Sequence, residues 1–256
     1  MGKIIALANQ KGGVGKTTTT LNVGAALSRR NRKVLLIDAD PQGNLTSSVG
    51  LDVSQDYTLY ELMENKCPIE KALHQSELGF DILPSDISLA GIEIELASEP
   101  GKEFILKEKV TPILEHYDYV LIDCPPSLGI MTVNALVLAS EALVVLKPEY
   151  LPMQGLQQLK STIRVIQRRL NAGLHISGIL INMYDGRRKL HRQGAIMIEE
   201  HFPGLVFNSR IRNSTVIAES PGFHKDVYSY KPKASGSQDY DFLVGEIIAQ
   251  EKNGGK

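Results

Sequence analysis

The sequence predicts an α/β fold: a doubly wound, mostly parallel sheet flanked by helices. Three observations point there. Short runs of Val, Ile and Leu recur along the chain, KVLLID at 33–38, YVLID at 119–123, ALVVL at 142–146 and ISGILIN at 176–182. They lack the polar alternation of a half-exposed strand, so they belong to strands buried on both faces. Between them lie longer stretches with helical spacing, and strand–helix alternation builds βαβ units. Finally, the first strand-like run feeds a glycine-rich loop, KGGVGKTTTT at 11–20, that opens a helix. In sheets of this class the site lies at the carboxyl ends of the strands.

The elements follow in order. Residues 4–8 form the first strand, and 17–29 have helical spacing with Leu21, Ala25 and Leu27 apolar. Further strands are predicted at 33–38, 80–83, 119–123, 142–146, 176–182 and 205–207. Helical patterns occupy 102–115, 128–139, 153–170, 189–201 and 238–250. The stretch 44–78 carries no period that assigns it. No repeat, linker or compositional boundary divides the chain, so residues 1–256 read as one domain, with the polar, Gly-rich end at 250–256 as a frayed tail.

A chain of 256 residues, 43% hydrophobic and 22% charged, has the composition of a globular protein able to bury a core. A net charge of −1 does not advertise nucleic acid, although a balanced total can hide a basic face. Cys67 and Cys124 lie far apart with no C-x-x-C, which argues against a disulfide framework; each reads as a small buried apolar residue. No apolar run approaches a membrane span, and Met-Gly-Lys leads straight into a strand without a signal peptide, so a cytoplasmic protein is expected. The histidines show no paired ligand spacing and read as structural or surface residues.

The phosphate-loop pattern G-x-x-x-x-G-K-[ST] is met at Gly15-Lys16-Thr17 but not at its first glycine, where Gln10 stands. Gly12, Gly13 and Gly15 allow a tight turn whose N–H groups approach an anion, and the helix that follows points its positive end there. Lys16 is expected to reach the β and γ phosphates and Thr17 to offer its hydroxyl to Mg²⁺, with Val14 and Thr18 completing the loop. Lys11 is a second lysine that the pattern does not require. From the residues alone it is a solvated loop lysine.

Carboxylates end two of the strands. Asp123 closes YVLID and resembles a Walker B residue that holds Mg²⁺ through water; its alternative is a turn before Pro125 and Pro126. Asp38 and Asp40 are one residue apart, so in extended chain they point the same way. One could touch the metal's water shell and the other could orient an attacking water. Asp38 could equally cap its strand, and Asp40 could begin an Asp-Pro turn.

KGGVGKTTTTLN, LLIDADPQGN and LIDCPPS, in this order and spacing, resemble the ParA/Soj family of partition ATPases, in the deviant Walker A group of P-loop NTPases that also holds MinD and the nitrogenase iron protein. The likeness continues through LKPEYLPMQGLQQL, GILINMYDGRRKLHRQ and IAESPGFHKDVYSYKPKASGSQDY. The resemblance implies that ATP and Mg²⁺ bind, and that Lys11 crosses into the partner's ATP in a face-to-face homodimer and there neutralises charge on the transferred phosphoryl group. It further implies that Asp40 positions the attacking water, that Asp123 is the Walker B residue and that Glu149 lies near the ribose. Asn182 would bind adenine, flanked by a loop at 210–213 with Ile211 and Arg212. Relatives often carry proline in place of Ile211.

The same resemblance implies slow, partner-stimulated ATP hydrolysis and non-specific binding of double-stranded DNA through lysine and arginine on phosphates. The candidates are Arg187, Arg188, Lys189, Arg192, Arg210, Arg212 and Lys225, with Lys231 and Lys233 behind them. By itself RRKLHR reads as an ordinary solvated helix start. The implied partner is a ParB/Spo0J-like centromere-binding protein, and the implied location is the nucleoid. A MinD-like membrane switch would need a basic amphipathic C-terminal helix. The end reads FLVGEIIAQEKNGGK, where Phe242, Leu243, Ile247 and Ile248 are expected to pack on the core. An iron–sulfur protein would need cysteines placed to share a cluster, which Cys67 and Cys124 do not suggest. ParA-type ATPases also position other cargoes, and no residue here names one.

Overall fold

A computed structural model describes residues 2–54, 56–149 and 153–253. The predicted tail at 254–256 and the 150–152 part of the family-like stretch lie outside them. Eight strands form a single sheet in the order β3-β4-β2-β5-β1-β6-β7-β8. They are β1 Lys3–Ala8, β2 Val34–Asp38, β3 His74–Gln75, β4 Asp81–Leu83, β5 Tyr119–Asp123, β6 Glu141–Leu146, β7 His175–Tyr184 and β8 Val206–Arg212. Every pairing is parallel except that of the short edge strand β3 with β4.

The apolar runs are buried on both faces, as their lack of alternation implies. On β1, Ile4, Ala6 and Ala8 enter one core while Ile5 and Leu7 enter the other. β5 divides in the same way, Val120 and Ile122 against Tyr119 and Leu121. Helices Lys16–Ser28 and Ser235–Asn253 cover one face through Leu21, Val23, Tyr240, Leu243 and Val244. Helices Ile105–Val110, Ile130–Leu138, Met153–Arg169 and Lys189–His201 cover the other through Leu106, Ala135, Ile163 and Ile198.

Several expectations need correction. The 205–207 strand extends to Arg212, so Arg210, Ile211 and Arg212 lie in β8 and not in a loop. The 102–115 segment is one α-helix bracketed by two 3₁₀ turns, the second holding Pro112, which cannot donate within a helix. The last helix runs through Asn253, past the expected start of fraying at 250, and Glu251 within it accepts from Tyr119 and pairs with Arg32 at 3.4 Å. Phe242 is 70% exposed, against the expectation that it packs on the core. Tyr240, Leu243, Val244 and Ile247 form the inward stripe at helical spacing, and Phe242 falls on the other side of it. The unassigned stretch 44–78 holds three helices of four or five residues, Asn44–Ser48, Leu59–Met63 and Ile69–Ala72, each too short to show a period.

Candidate functional site

Parallel register brings the sequence-predicted residues to one edge of the sheet. Asp38 and Asp123 end β2 and β5 as direct register partners, and Leu7 near the end of β1 pairs with Asp123 from the other side. The 9–15 loop leaves β1 beside them. Gly13 and Gly15 have φ of 68° and 90°, in the left-handed region that glycine tolerates and side chains resist. A Cβ on Gly15 would stand 2.2 Å from Asn182 Nδ2, so this glycine also allows close packing of the loop on β7. Val14 is buried, Thr17 and Thr18 are half-buried, and Gly12 and Gly13 are exposed.

Lys16 is only 6% exposed. Burial lowers its pKa, opposed most strongly by the Asp123 charge and then by Cys124 and Asp40. Asp123 is fully buried, and neither carboxylate oxygen has a hydrogen-bond partner among the described residues. Burial, reinforced by the Asp38 charge, raises its pKa well above the usual carboxylate value; Thr17 and Lys16 temper this without closing a hydrogen bond on either oxygen. A buried carboxylate with both oxygens orphaned is costly, and a cation or its water shell is the natural complement.

Asp38 is spent differently. Its Oδ2 accepts from Thr46 N at 2.9 Å and Thr46 Oγ1 at 2.8 Å, and its Oδ1 accepts from Asp40 N at 3.3 Å. Burial pushes its pKa up to about 6 despite these donors. The geometry favours the structural alternative for Asp38, since three donors already hold its oxygens. Thr46 Oγ1 also accepts from Ser85 N at 2.9 Å, so one buried threonine ties β2, the Asn44–Ser48 helix and the segment after β4. Asp40, 8% exposed, uses Oδ1 to accept from Gln42 N at 3.0 Å, which is an Asx turn before the Gly43 bend.

Lys11 is exposed, and its Nζ pairs with Glu149 Oε2 at 3.1 Å. Glu149 Oε1 takes Lys147 at 3.2 Å, and the two ammonium groups, Lys11 first, hold the Glu149 carboxyl below its ordinary pKa. Asn182, expected at adenine, donates from Nδ2 to Val14 O at 2.8 Å and accepts Met183 N on Oδ1 at 2.8 Å. It braces the loop in this conformation. Ile211 is fully buried, so only its backbone can serve a ligand. Arg212 Nη2 pairs with Asp239 at 2.7 Å.

The basic residues predicted for DNA divide in two. Arg187 and Arg188 both pair with Asp185, at 3.0 and 3.6 Å, and Arg187 leads the influences that hold Asp185 down at about 2. Arg210 pairs with Glu199 at 2.5 Å and lies over the Tyr184 ring. Arg192 holds the Gly186 and Arg187 carbonyls at 2.7 and 3.0 Å. Lys189 and Lys225 are exposed and form no ion pair among the described residues. His191 is buried and accepts Asp185 N on Nδ1 at 3.0 Å, a structural role.

Sequence reading missed Asn9, Thr46 and Lys147. Asn9 donates to Val145 O at 2.6 Å and accepts Lys11 N at 3.0 Å, so it fixes where the loop departs. A polar side chain at the mouth of a buried strand was the available signal for Asn9. Thr46 lay in the stretch without a period. Away from this edge, a cavity of about 1240 Å³ opens at the amino ends of the strands, lined by Lys3, Arg32, Glu141, His175 and Glu251 among others. Two of its acids are engaged, Glu141 with Lys3 at 2.9 Å and Glu251 with Arg32.

A family model described as an AAA domain matches residues 2–176. The chain is 41% identical over 255 residues to the chromosome partitioning protein ParA of Caulobacter vibrioides, covering 98% of this chain and 96% of that protein. The chain belongs to the ParA/Soj family of partition ATPases. A second ParA/Soj relative, the sporulation initiation inhibitor protein Soj of Bacillus subtilis, is 38% identical over 251 residues, covering 97% of this chain and 99% of that one. Among solved structures, a Mycobacterium smegmatis protein described as cobyrinic acid a,c-diamide synthase, with bound ADP and magnesium, superposes with a TM-score of 0.88 at 33% identity over 99% of this chain and 97% of that chain. The septum site-determining protein MinD of Pyrococcus horikoshii, complexed with Mg-ADP, gives 0.79 at 27% identity over 96% of each. This ParA/Soj chain therefore has the P-loop NTPase fold. Among its described residues no helix is long and apolar enough to cross a membrane.

Proposed function

We propose that this chain is a single-domain, ATP-driven switch that dimerises on ATP, binds DNA non-specifically and hydrolyses ATP slowly, so as to segregate or position chromosome or plasmid DNA. The observation that carries the reading is the buried, orphaned Asp123 carboxylate beside Lys16 and the left-handed glycine loop. That donor set fits magnesium, which takes one or two carboxylates plus substrate phosphates. Held there, magnesium would supply positive charge against the phosphates. Thr17 would offer it a hydroxyl, and Asp123 would meet it through water.

The protein's own groups supply the rest. Backbone N–H groups of the 12–18 loop cradle the phosphates, and Lys16 reaches them from a buried position where water screens it little. Asp40, its backbone pinned by Asp38, holds the attacking water with the oxygen that Gln42 leaves free. Lys11 leaves Glu149 for the partner's phosphates when two chains close face to face, and Glu149 then lies at the shared boundary. The names of the Caulobacter and Bacillus relatives support a cargo of chromosomal DNA, with a ParB/Spo0J-like protein as stimulating partner and the nucleoid as location. Light scattering with ATP, ADP or no nucleotide is the test. A dimer with ATP alone, lost in Lys16→Ala, supports the switch; a monomer under all three conditions defeats it.

A further inference from the structure

No aspartate or glutamate occurs between Glu149 and Asp185, in a chain with 29 acidic residues. Within that gap the Met153–Arg169 helix carries Lys160, Arg164 and Arg168 at a spacing of four, with Arg169 beside the last. Residues four apart share a helix face, so the three form one row about 12 Å long. Arg164, Arg168 and Arg169 are exposed, and Lys160 lies over the Phe202 ring at 5.5 Å. Among the described residues none of the four takes part in an ion pair, whereas Arg187, Arg188, Arg210 and Arg212 each hold a carboxylate. The molecule thus spends guanidinium charge on its own acids after β7 and leaves it uncompensated on this helix.

We propose that the Lys160–Arg164–Arg168 row, with Arg169, is a contact surface for the phosphate backbone of duplex DNA. The inference rests on the DNA-binding reading above and assigns it a surface outside the 187–225 residues. Duplex DNA carries a charge about every 1.7 Å of axis, so a row of this length always meets phosphates whatever the sequence. Arginine suits this contact because its planar fork pairs two donors with phosphate oxygens. The face favours DNA over an anionic membrane. Among the described side chains its exposed neighbours include Gln157, Gln158 and Ser161, with Val165 the large apolar one at 43% exposure, whereas an interfacial helix needs a bulky apolar stripe.

The test compares wild type with Lys160→Gln/Arg164→Gln/Arg168→Gln/Arg169→Gln, binding a random-sequence duplex with ATP across a salt series. Circular dichroism and basal ATPase serve as controls, since none of the four residues belongs to the nucleotide site. Each lost phosphate contact flattens the log–log salt slope by about 0.9, so three or four lost contacts flatten it by about 3 and weaken binding at least ~10-fold near 0.1 M salt. That result supports the surface. Wild-type binding with an unchanged slope and affinity in the variant overturns this inference and leaves the DNA reading standing. Failure of wild type to bind DNA overturns the DNA reading itself. Binding of wild type to phosphatidylglycerol vesicles in place of DNA, lost in the variant, assigns the row to a membrane and overturns the proposal.

Discussion

The assignment of Lys11 to a partner's site can be tested by mixing two inactive chains. In the single chain its only side-chain contact described is Glu149, at 3.1 Å with the two side chains 61% and 37% exposed. So solvated a pair contributes about 0–1 kcal/mol, and Glu149 keeps Lys147 after Lys11→Ala. The thermal midpoint should therefore fall by less than ~4 °C for a chain of this size, and a larger loss of hydrolysis reports chemistry and not folding. Asp40→Ala lacks the carboxylate proposed to position water but keeps Lys11. In a mixed dimer, the Lys11→Ala chain contributes Lys16, Asp40 and nucleotide, and its partner lends Lys11, so one site is complete. With random pairing of equal amounts into two-fold dimers, about a quarter of wild-type phosphate release returns. Release is measured across mixing ratios, with dimer formation followed by light scattering. No recovery at any ratio, in samples shown to contain mixed dimers, refutes action in trans; wild-type hydrolysis by Lys11→Ala alone refutes any role.

Other substitutions probe the rest of the edge. Gly15→Ala places a Cβ 2.2 Å from Asn182 Nδ2 at a φ of 90°, so it should abolish nucleotide binding by calorimetry, whereas Gly12→Ala, whose Cβ would meet only Pro126 at 3.8 Å, should retain it. Thr46→Val strips one donor from Asp38 and the acceptor from Ser85 N in a buried site, costing about 1–3 kcal/mol in urea unfolding. Thr46→Ser should restore both stability and turnover, and a lower kcat at unchanged KM in the valine variant would mark Asp40 as misplaced. Asp123 has a raised folded-state pKa, so its stabilising form is the protonated one; that contribution is complete below the usual carboxylate range and is lost as pH rises through the folded value. Asp123→Asn should therefore raise the melting point of metal-free, nucleotide-free protein more at about pH 8 than at about pH 5, and an equal shift at both would show that Asp123 is not held protonated.

The legible parts of the fold were those with a strong local signal. β1, β2, β5 and β6 announced themselves because burial on both faces demands unbroken apolar runs. β8 was legible only over its first residues, since VFNSRIR mixes polar and apolar residues on a strand at the sheet edge. Phe242 was misread because composition cannot tell which of two adjacent apolar residues meets the core. The phosphate loop was legible as a motif, and so were the strand-end aspartates. Their different fates were not: Asp38 accepts three hydrogen bonds from Thr46 and Asp40, while Asp123, its register partner, is orphaned among the described residues. Partners such as Thr46 come from a segment whose helices are too short for periodicity.

The sequence by itself determined the class of fold, the loop that turns at Gly13 and Gly15, the lysine and threonine behind it and the strand-end carboxylates. These depend on backbone freedom, hydrophobic period and residue type, all local properties. Only the tertiary structure decided which charges are spent and which remain available. It placed Arg210 and Arg212 against acids from other elements, set Lys11 on Glu149, and left the arginines of the 153–169 helix without an ion pair among the described residues. Charge compensation depends on distance in space, and the chain brings Asp239 to Arg212 and Glu199 to Arg210 only by folding.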